Sequence, residues 1–336
     1  MIKATFFTGP FYLNNRQFDV SNKISNRDDC LYGWYLLQKK FRENGIDLST
    51  QDINPPSESQ FIIYNEIPKI KNITPDKDNY FLMLESKIIR PDNWSIDNHR
   101  FFKKIFTWDD TLVDNKKYIK INYPHKLPVD LDYDLNRKEK FCAMIVANKF
   151  KPHPLELYTE RIKAIRWFEQ RHPEDFDLYG IGWDKYNFNG MLSRLNRFDA
   201  LRKILKPRYP SYKGSIESKK EVYKKYKFAI CYENARDIPG YITEKIFDCF
   251  FAGCVPVYWG ASNITDHIPT DTFIDRRNFK SYEELYQYLK NRTDKKYIDY
   301  LSATKNFIKS DKIYPFSAEC FAETLINEII SGDKNE

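Results

Sequence analysis

YKFAICYENARDIPGYITEKIFDCFFAGCVPVYWG, residues 226–260, holds two short apolar runs separated by a polar loop and a helical repeat. Phe228–Tyr232 is apolar and flanked by charge, which suits a buried strand. Glu233 to Tyr241 carries Asn, Arg, Asp, Pro and Gly, the chemistry of a loop. Ile242, Ile246, Cys249 and Phe250 then recur at helical spacing from Thr243 onward, and Gly253 closes the helix. Val255–Trp259 is a second strand. A strand, loop, helix and strand in this order build a parallel sheet, so the fold class is α/β.

Such a unit binds its ligand beyond the carboxyl end of the strand, near the start of the next helix. Glu233, Asn234, Tyr241, Glu244 and Lys245 occupy that place. A helix start offers free N–H groups and the positive end of a dipole, which favour an anion. Lys245 adds a cation where the dipole prefers an acid, so a bound phosphate is expected. Glu244 is suited to accept hydrogen bonds from a ribose diol.

The string resembles glycosyltransferase family 10, the α1,3/4-fucosyltransferases. It carries Tyr232-Glu233-Asn234, a short loop, Tyr241-Ile242-Thr243-Glu244-Lys245, then Ala252-Gly253 and Val255-Pro256-Val257. The order and contiguity of these pieces make the match far more specific than a lone glycine motif. The resemblance implies a GDP-fucose site, with Glu244 on the ribose, Lys245 on the diphosphate, and Asn234, Tyr241 and Thr243 in the donor pocket. It also implies a GT-B architecture, two Rossmann-like domains facing each other across a cleft. The expected division is 1–135 for an acceptor-binding domain and 136–310 for a donor-binding domain. A C-terminal helix in 311–336 is expected to return to the first domain and end in a frayed tail.

The whole chain agrees with a two-domain enzyme. It has 336 residues, 42% hydrophobic and 16% aromatic, enough for two cores. No run approaches the roughly 20 apolar residues of a membrane span, and the opening MIKATFFTGPFYL lacks the features of a signal peptide. A cytoplasmic protein is expected, peripheral at the inner face of a membrane at most. The net charge of +7 favours anionic partners, nucleotide-sugars and an acidic membrane face among them. It is scattered over many lysines with no dense basic block, so nucleic acid is not expected as a partner. Six cysteines without a C-x-x-C pair or a His cluster read as reduced core residues.

In the first half, Ile2–Thr8, Phe61–Tyr64 and Tyr80–Leu84 read as strands, and Phe11–Asn26 as a loop. Asp28 or Asp29 is placed to cap a helix running through Glu43 with Gly45 as its stop. LMLESKIIRP, residues 82–91, puts Glu85 at a strand's carboxyl end. It resembles the family segment in which such an acid precedes Ser and Pro, and by that resemblance Glu85 is the general base. The residues Lys87 to Arg90 between Ser86 and Pro91 depart from the family spacing. A surface acid at a strand end is the other reading of Glu85. Asp130 to Lys140 is charged and irregular, as a linker would be.

In the second half, Phe141–Ala147 and Phe176–Tyr179 read as strands and Glu160–Gln170 as a helix carrying Arg161. Arg161 is either a phosphate ligand or a helix-surface residue. Tyr186 to Pro207 looks like an insertion whose Leu192, Leu195, Leu201 and Ile204 would pack as a helix. The family carries a basic residue for the diphosphate near RYPSYKG, residues 208–214. Lys213 lies nearer the loop glycine, and Arg208 offers the bidentate fork.

Glycosyl transfer needs positive charge on the departing diphosphate, which Lys245 with Lys213 or Arg208 would supply. It also needs a base for the acceptor hydroxyl, Glu85, or failing that the second acid Glu233. The acceptor implied by the resemblance is an oligosaccharide, lipid-linked or part of a surface polysaccharide. No cofactor is required on this reading and no residue is assigned as a metal ligand, while Mg2+ or Mn2+ would assist the diphosphate. Asp130, Asp132 and Asp134 lack the later Gly and Glu of a calcium loop. A transferase for another nucleotide-sugar and a non-catalytic glycan-binding protein are the competing readings.

Overall fold

The structure is a computed structural model that describes residues 1–331 apart from 132, 187 and 189. Asp132 of the acidic run and residues 332–336 of the expected tail therefore lie outside the described residues. The chain forms two compact units. The first comprises Met1–Leu127, Ile238–Thr243 and Ile308–Glu336, and the second Pro128–Asp237 and Glu244–Phe307.

The first unit is built on β1 (Ile2–Phe7), β2 (Ile46–Thr50), β3 (Phe61–Asn65), β4 (Asp78–Met83), β5 (Lys104–Thr107) and β6 (Tyr118–Lys120). The order is β2-β1-β3-β4-β5-β6, and every pair is parallel. The strands read as apolar runs because a parallel sheet is covered on both faces. Phe6, Ile62, Ile63, Phe81, Leu82 and Phe106 are fully buried in it. Helix α1 (Tyr32–Glu43) carries the chain from β1 to β2.

The second unit contains β7 (Lys140–Ile145), α2 (Tyr158–Arg171), β8 (Phe176–Tyr179), α3 (Asp199–Ile204), α4 (Lys219–Tyr223) and β9 (Tyr226–Tyr232). It continues through α5 (Glu244–Phe251), β10 (Val255–Trp259), α6 (Ile264–His267), β11 (Ile274–Asp275), α7 (Tyr282–Lys290) and α8 (Asp294–Lys309), whose last two residues group with the first unit. Its sheet is also parallel throughout, in the order β11-β10-β9-β7-β8. Both sheets reverse strand order beside their first strand, at β1/β3 and at β7/β9. These are the switch points where doubly wound sheets open a crevice. The last helix, α9 (Ala318–Ile326), packs in the first unit, its Phe321 ring 5.3 Å from that of Trp34 on α1.

Several expectations are corrected. Helix α1 starts at Tyr32 with no side-chain cap, because Asp28 and Asp29 are in left-handed turn conformations that cannot begin a helix. Strand β2 had no counterpart in the sequence reading; it is a short edge strand, IDLST, with too little apolar character to stand out. Residues 128–135 group with the second unit and are not a free linker. The Tyr133 hydroxyl donates to the Phe250 carbonyl at 2.7 Å, and its ring lies under Gly253. Residues 238–243 group with the first unit, where Asp110 N donates to Pro239 O at 3.4 Å. In the 186–207 segment, Leu192 and Ile204 do not pack: they are 59% and 80% exposed. Among the described residues no helix is long and apolar enough to cross a membrane.

Candidate active site

In the second unit Glu233, Asn234, Glu244, Lys245 and Arg161, but not Lys213 or Arg208, gather at the carboxyl end of β9. Glu233 follows the strand directly, and its N–H donates to Trp259 O at 2.8 Å, which fixes the turn against β10. Its side chain is fully buried, and its carboxylate lies 3.1 Å from Lys245 Nζ. A buried carboxylate is costly unless paired, so this contact is a condition of the local fold. Residue 260 must be glycine here: a Cβ would stand 2.5 Å from Glu233 Cγ and 2.3 Å from the Tyr258 hydroxyl. Lys245 also lies 3.4 Å from Glu244 at the start of α5.

The ion pairs continue along the helix. Lys219, at the start of α4, lies 3.6 Å from Glu244 and 2.7 Å from Asp248. Burial works to lower the Lys219 ammonium, but the Asp248 and Glu244 carboxylates overcome this and hold it raised. Lys245 therefore sits at the helix start for a reason the sequence concealed, since two carboxylates already flank it.

Arg161 is not a surface residue. It is 4% exposed, and its guanidinium donates to Tyr232 O at 2.7 Å and to Asn234 Oδ1 at 3.0 Å. Asn234 O in turn accepts from Leu157 N at 3.1 Å, just before α2. The end of β9 and the start of α2 are thus tied together by a buried cation. Glu233, Lys245 and Glu244 form one ion-paired group and Arg161 and Asn234 a second, the two joined through the backbone that ends β9.

Lys213 and Arg208 do not join these groups. Residues 211–214 run parallel beside β8, with Lys213 N donating to Leu178 O at 2.9 Å. The Lys213 side chain turns back toward the amino ends of the strands, where Nζ lies 3.3 Å from Asp177. It borders a cavity of about 560 Å3 there, together with Lys140 and Tyr226. Burial works to raise the Asp177 carboxyl, but hydrogen bonds from Lys140 and Tyr226 and the Lys213 charge hold it low. Arg208 precedes this segment on the same side; it is exposed, and its carbonyl accepts from Arg166 at 2.7 Å.

Tyr241 and Thr243 group with the first unit. Tyr241 is 1% exposed, and its ring lies 4.7 Å from that of Trp108. Gly240 makes this approach possible at φ +78°, because a Cβ would meet Trp108 O at 2.3 Å.

Also in the first unit, Glu85 stands just past β4 in a clamped turn. Leu84 O accepts from Trp108 Nε1 and from the Tyr123 hydroxyl, both at 2.5 Å. Glu66 Oε1 accepts from Leu84 N at 3.3 Å and from Glu85 N at 3.0 Å. Glu66 is held in turn by Asn93 Nδ2, and Arg90 donates to Ile67 O at 2.7 Å. Burial pushes the Glu66 carboxyl up to about 7, against the pull of Asn93 and the Glu85 amide. Its φ of +69° is unusual for a residue with a side chain. Sequence reasoning missed Glu66. The available signal was an acid at the carboxyl end of β3, the strand beside β4.

Among the described residues no group of three His, Cys, Asp or Glu is arranged to hold a metal ion. The cluster on β9 and α5 offers fixed cations and carboxylates suited to a phosphorylated, hydroxyl-bearing ligand. The turn at Glu85 offers a partly exposed carboxylate on a backbone held by hydrogen bonds.

Comparison with known proteins identifies the family and the fold. The sequence model described as Glycosyltransferase family 10 (fucosyltransferase) C-term matches residues 135–320. Over 76 residues the chain is 34% identical to the alpha-(1,3)-fucosyltransferase FucT of Helicobacter pylori, a match covering 23% of this chain and 16% of that protein. The chain thus aligns with about a sixth of that relative's length. In three dimensions it resembles an alpha1,3-fucosyltransferase solved with GDP-fucose, at 15% identity and a TM-score of 0.53, covering 96% and 89% of the two chains. It resembles equally an alpha-glucosyltransferase solved with UDP-glucose and DNA, at 11% identity and a TM-score of 0.58, covering 98% and 99%. The two structures share the fold, two parallel α/β units of the GT-B class. With its family match spanning more than half of the residues, the chain belongs to glycosyltransferase family 10, the fucosyltransferases.

Proposed function

We propose that the protein is an inverting α1,3-fucosyltransferase that moves L-fucose from GDP-fucose to a hydroxyl of a GlcNAc-containing glycan. The observation that carries the reading is the cluster of Glu233, Lys245, Glu244 and Arg161 at the end of β9, inside the family-matched residues. The fucosyltransferase of like fold solved with GDP-fucose supports the choice of donor.

On this reading Lys245 and Arg161 meet the diphosphate and Glu244 the ribose, with Asn234, Tyr241 and Thr243 completing the donor contacts. The acceptor hydroxyl attacks the anomeric carbon while the bond from that carbon to the diphosphate oxygen breaks. GDP departs with the bonding pair, and Glu85 takes the hydroxyl proton. A single displacement inverts the β-linked donor to an α-linked product. Fixed positive charge at the leaving group is worth a few kcal/mol, roughly a hundredfold or more in rate. Glu233 is assigned the task of holding Lys245, in place of direct contact with the sugar. The reading gives no metal a protein ligand; Mg2+ or Mn2+ acts on the diphosphate and stimulates without being required. The acceptor is a lipid-linked oligosaccharide or a surface polysaccharide, which brings the enzyme to a membrane face.

Calorimetric titration of GDP and UDP against the protein and against Lys245→Ala tests the donor. Tighter binding of GDP that the substitution weakens supports the reading; preference for UDP overturns it. The glucosyltransferase likeness makes a different nucleotide-sugar the second reading, and the same titration separates them.

A further inference from the structure

Residues Met191–Lys206 of the second unit are mostly outside its core. A 3-10 turn over Gly190–Arg197 leads into the short helix α3. Met191 is 96% exposed and Ile204 80%, with Leu192, Phe198 and Leu205 between about half and three-fifths exposed. Five large apolar side chains within sixteen residues are thus exposed.

The same sixteen residues hold five basic residues and one acid, a net +4 of the chain's +7. Asp199, the acid, is engaged by Lys185 at 2.7 Å and Lys203 at 3.3 Å. Arg202 is engaged by the backbone, donating to Tyr186 O at 2.8 Å. Arg194, Arg197 and Lys206 remain, exposed and with no carboxylate in ion-pair distance among the described residues.

We infer that this segment docks the protein on an anionic lipid bilayer. Basic and bulky apolar side chains interleaved along one exposed segment match a surface of acidic headgroups over hydrocarbon. A nucleic acid would meet the cations but would leave Met191, Leu192, Ile204 and Leu205 uncovered, and Phe198 alone is no stacking platform. The inference deepens the membrane-face reading above, which it locates, and it does not depend on the identity of the donor sugar.

The test is sedimentation of the intact protein with vesicles of phosphatidylcholine alone and of phosphatidylcholine with equal phosphatidylglycerol. Each basic residue near such a surface is worth roughly a fivefold factor in partition. Arg194→Gln with Arg197→Gln should therefore weaken binding to the anionic vesicles roughly thirtyfold. Met191→Ser with Leu192→Ser should weaken it separately, and pure phosphatidylcholine should sediment little protein. GDP binding is measured on each variant and should be unchanged, so a failed donor reading stays distinct from a failed docking site. Absence of sedimentation with anionic vesicles, or binding untouched by either pair, overturns the inference. So does binding that only the arginine pair weakens and that heparin matches, since that pattern describes a generic polyanion site.

Discussion

Removing the Lys245 side chain should lower the melting temperature of the second unit as well as weaken donor binding. The Lys245→Ala change leaves Glu233 fully buried with its cation gone, in a space that Gly260 and Tyr258 already fill. Breaking one side of a buried ion pair costs about 3–5 kcal/mol. Lys245 keeps 17% of its side-chain surface exposed, so water entry brings the value toward the lower end, about 3 kcal/mol. For a unit of this size each kcal/mol shifts the melting temperature by about 2–4 °C. A fall of about 6–12 °C is therefore expected in thermal unfolding followed by circular dichroism. Adding Glu233→Gln to Lys245→Ala removes the charge that Lys245 had faced, and the double variant should recover much of the loss. A single variant that melts with the wild type, or a double variant no better than the single, would refute the assignment of Glu233 as the partner that the fold requires.

Other outcomes follow from the same geometry. Burial raises the Glu66 carboxyl to about 7, so the folded state holds its proton more tightly than the unfolded chain. The stabilisation is complete below about pH 4.5 and is lost as pH rises through about 7, by up to about 3 kcal/mol; denaturant melts of Glu66→Gln should lose that slope. Glu85→Gln should lower transfer by about 10²–10⁴ while leaving calorimetric GDP affinity intact, and near-normal transfer would remove Glu85 as the base. Lys213→Ala should leave GDP affinity unchanged because its ammonium serves Asp177, whereas Arg161→Met should weaken it roughly tenfold or more.

The parts of the fold visible in the sequence are those with strong local chemistry. Strand β9, helix α5 and strand β10 stand out because their apolar periods are clean and Gly253 ends the helix. Glu85 is visible as an acid closing an apolar run. Glu66 is hidden because its importance arises only when β3 and β4 pair, bringing two distant strand ends side by side. Lys219 is hidden for a similar reason: its partners Glu244 and Asp248 come from another helix. Lys213 was misplaced because nothing local reveals that residues 211–214 lie along β8. The segment before β7 looked like a linker because its charges are conspicuous, while the one residue that anchors it, Tyr133, finds its partner over a hundred residues later.

Incubation with GDP-fucose and an N-acetyllactosamine-type acceptor, with the product read by NMR, tests the proposed transfer most directly. The expected product carries an α-linked fucose on the GlcNAc O3, and its formation depends on Glu85. A β-linked product, or turnover of a UDP-sugar with none of GDP-fucose, would contradict the proposed transfer.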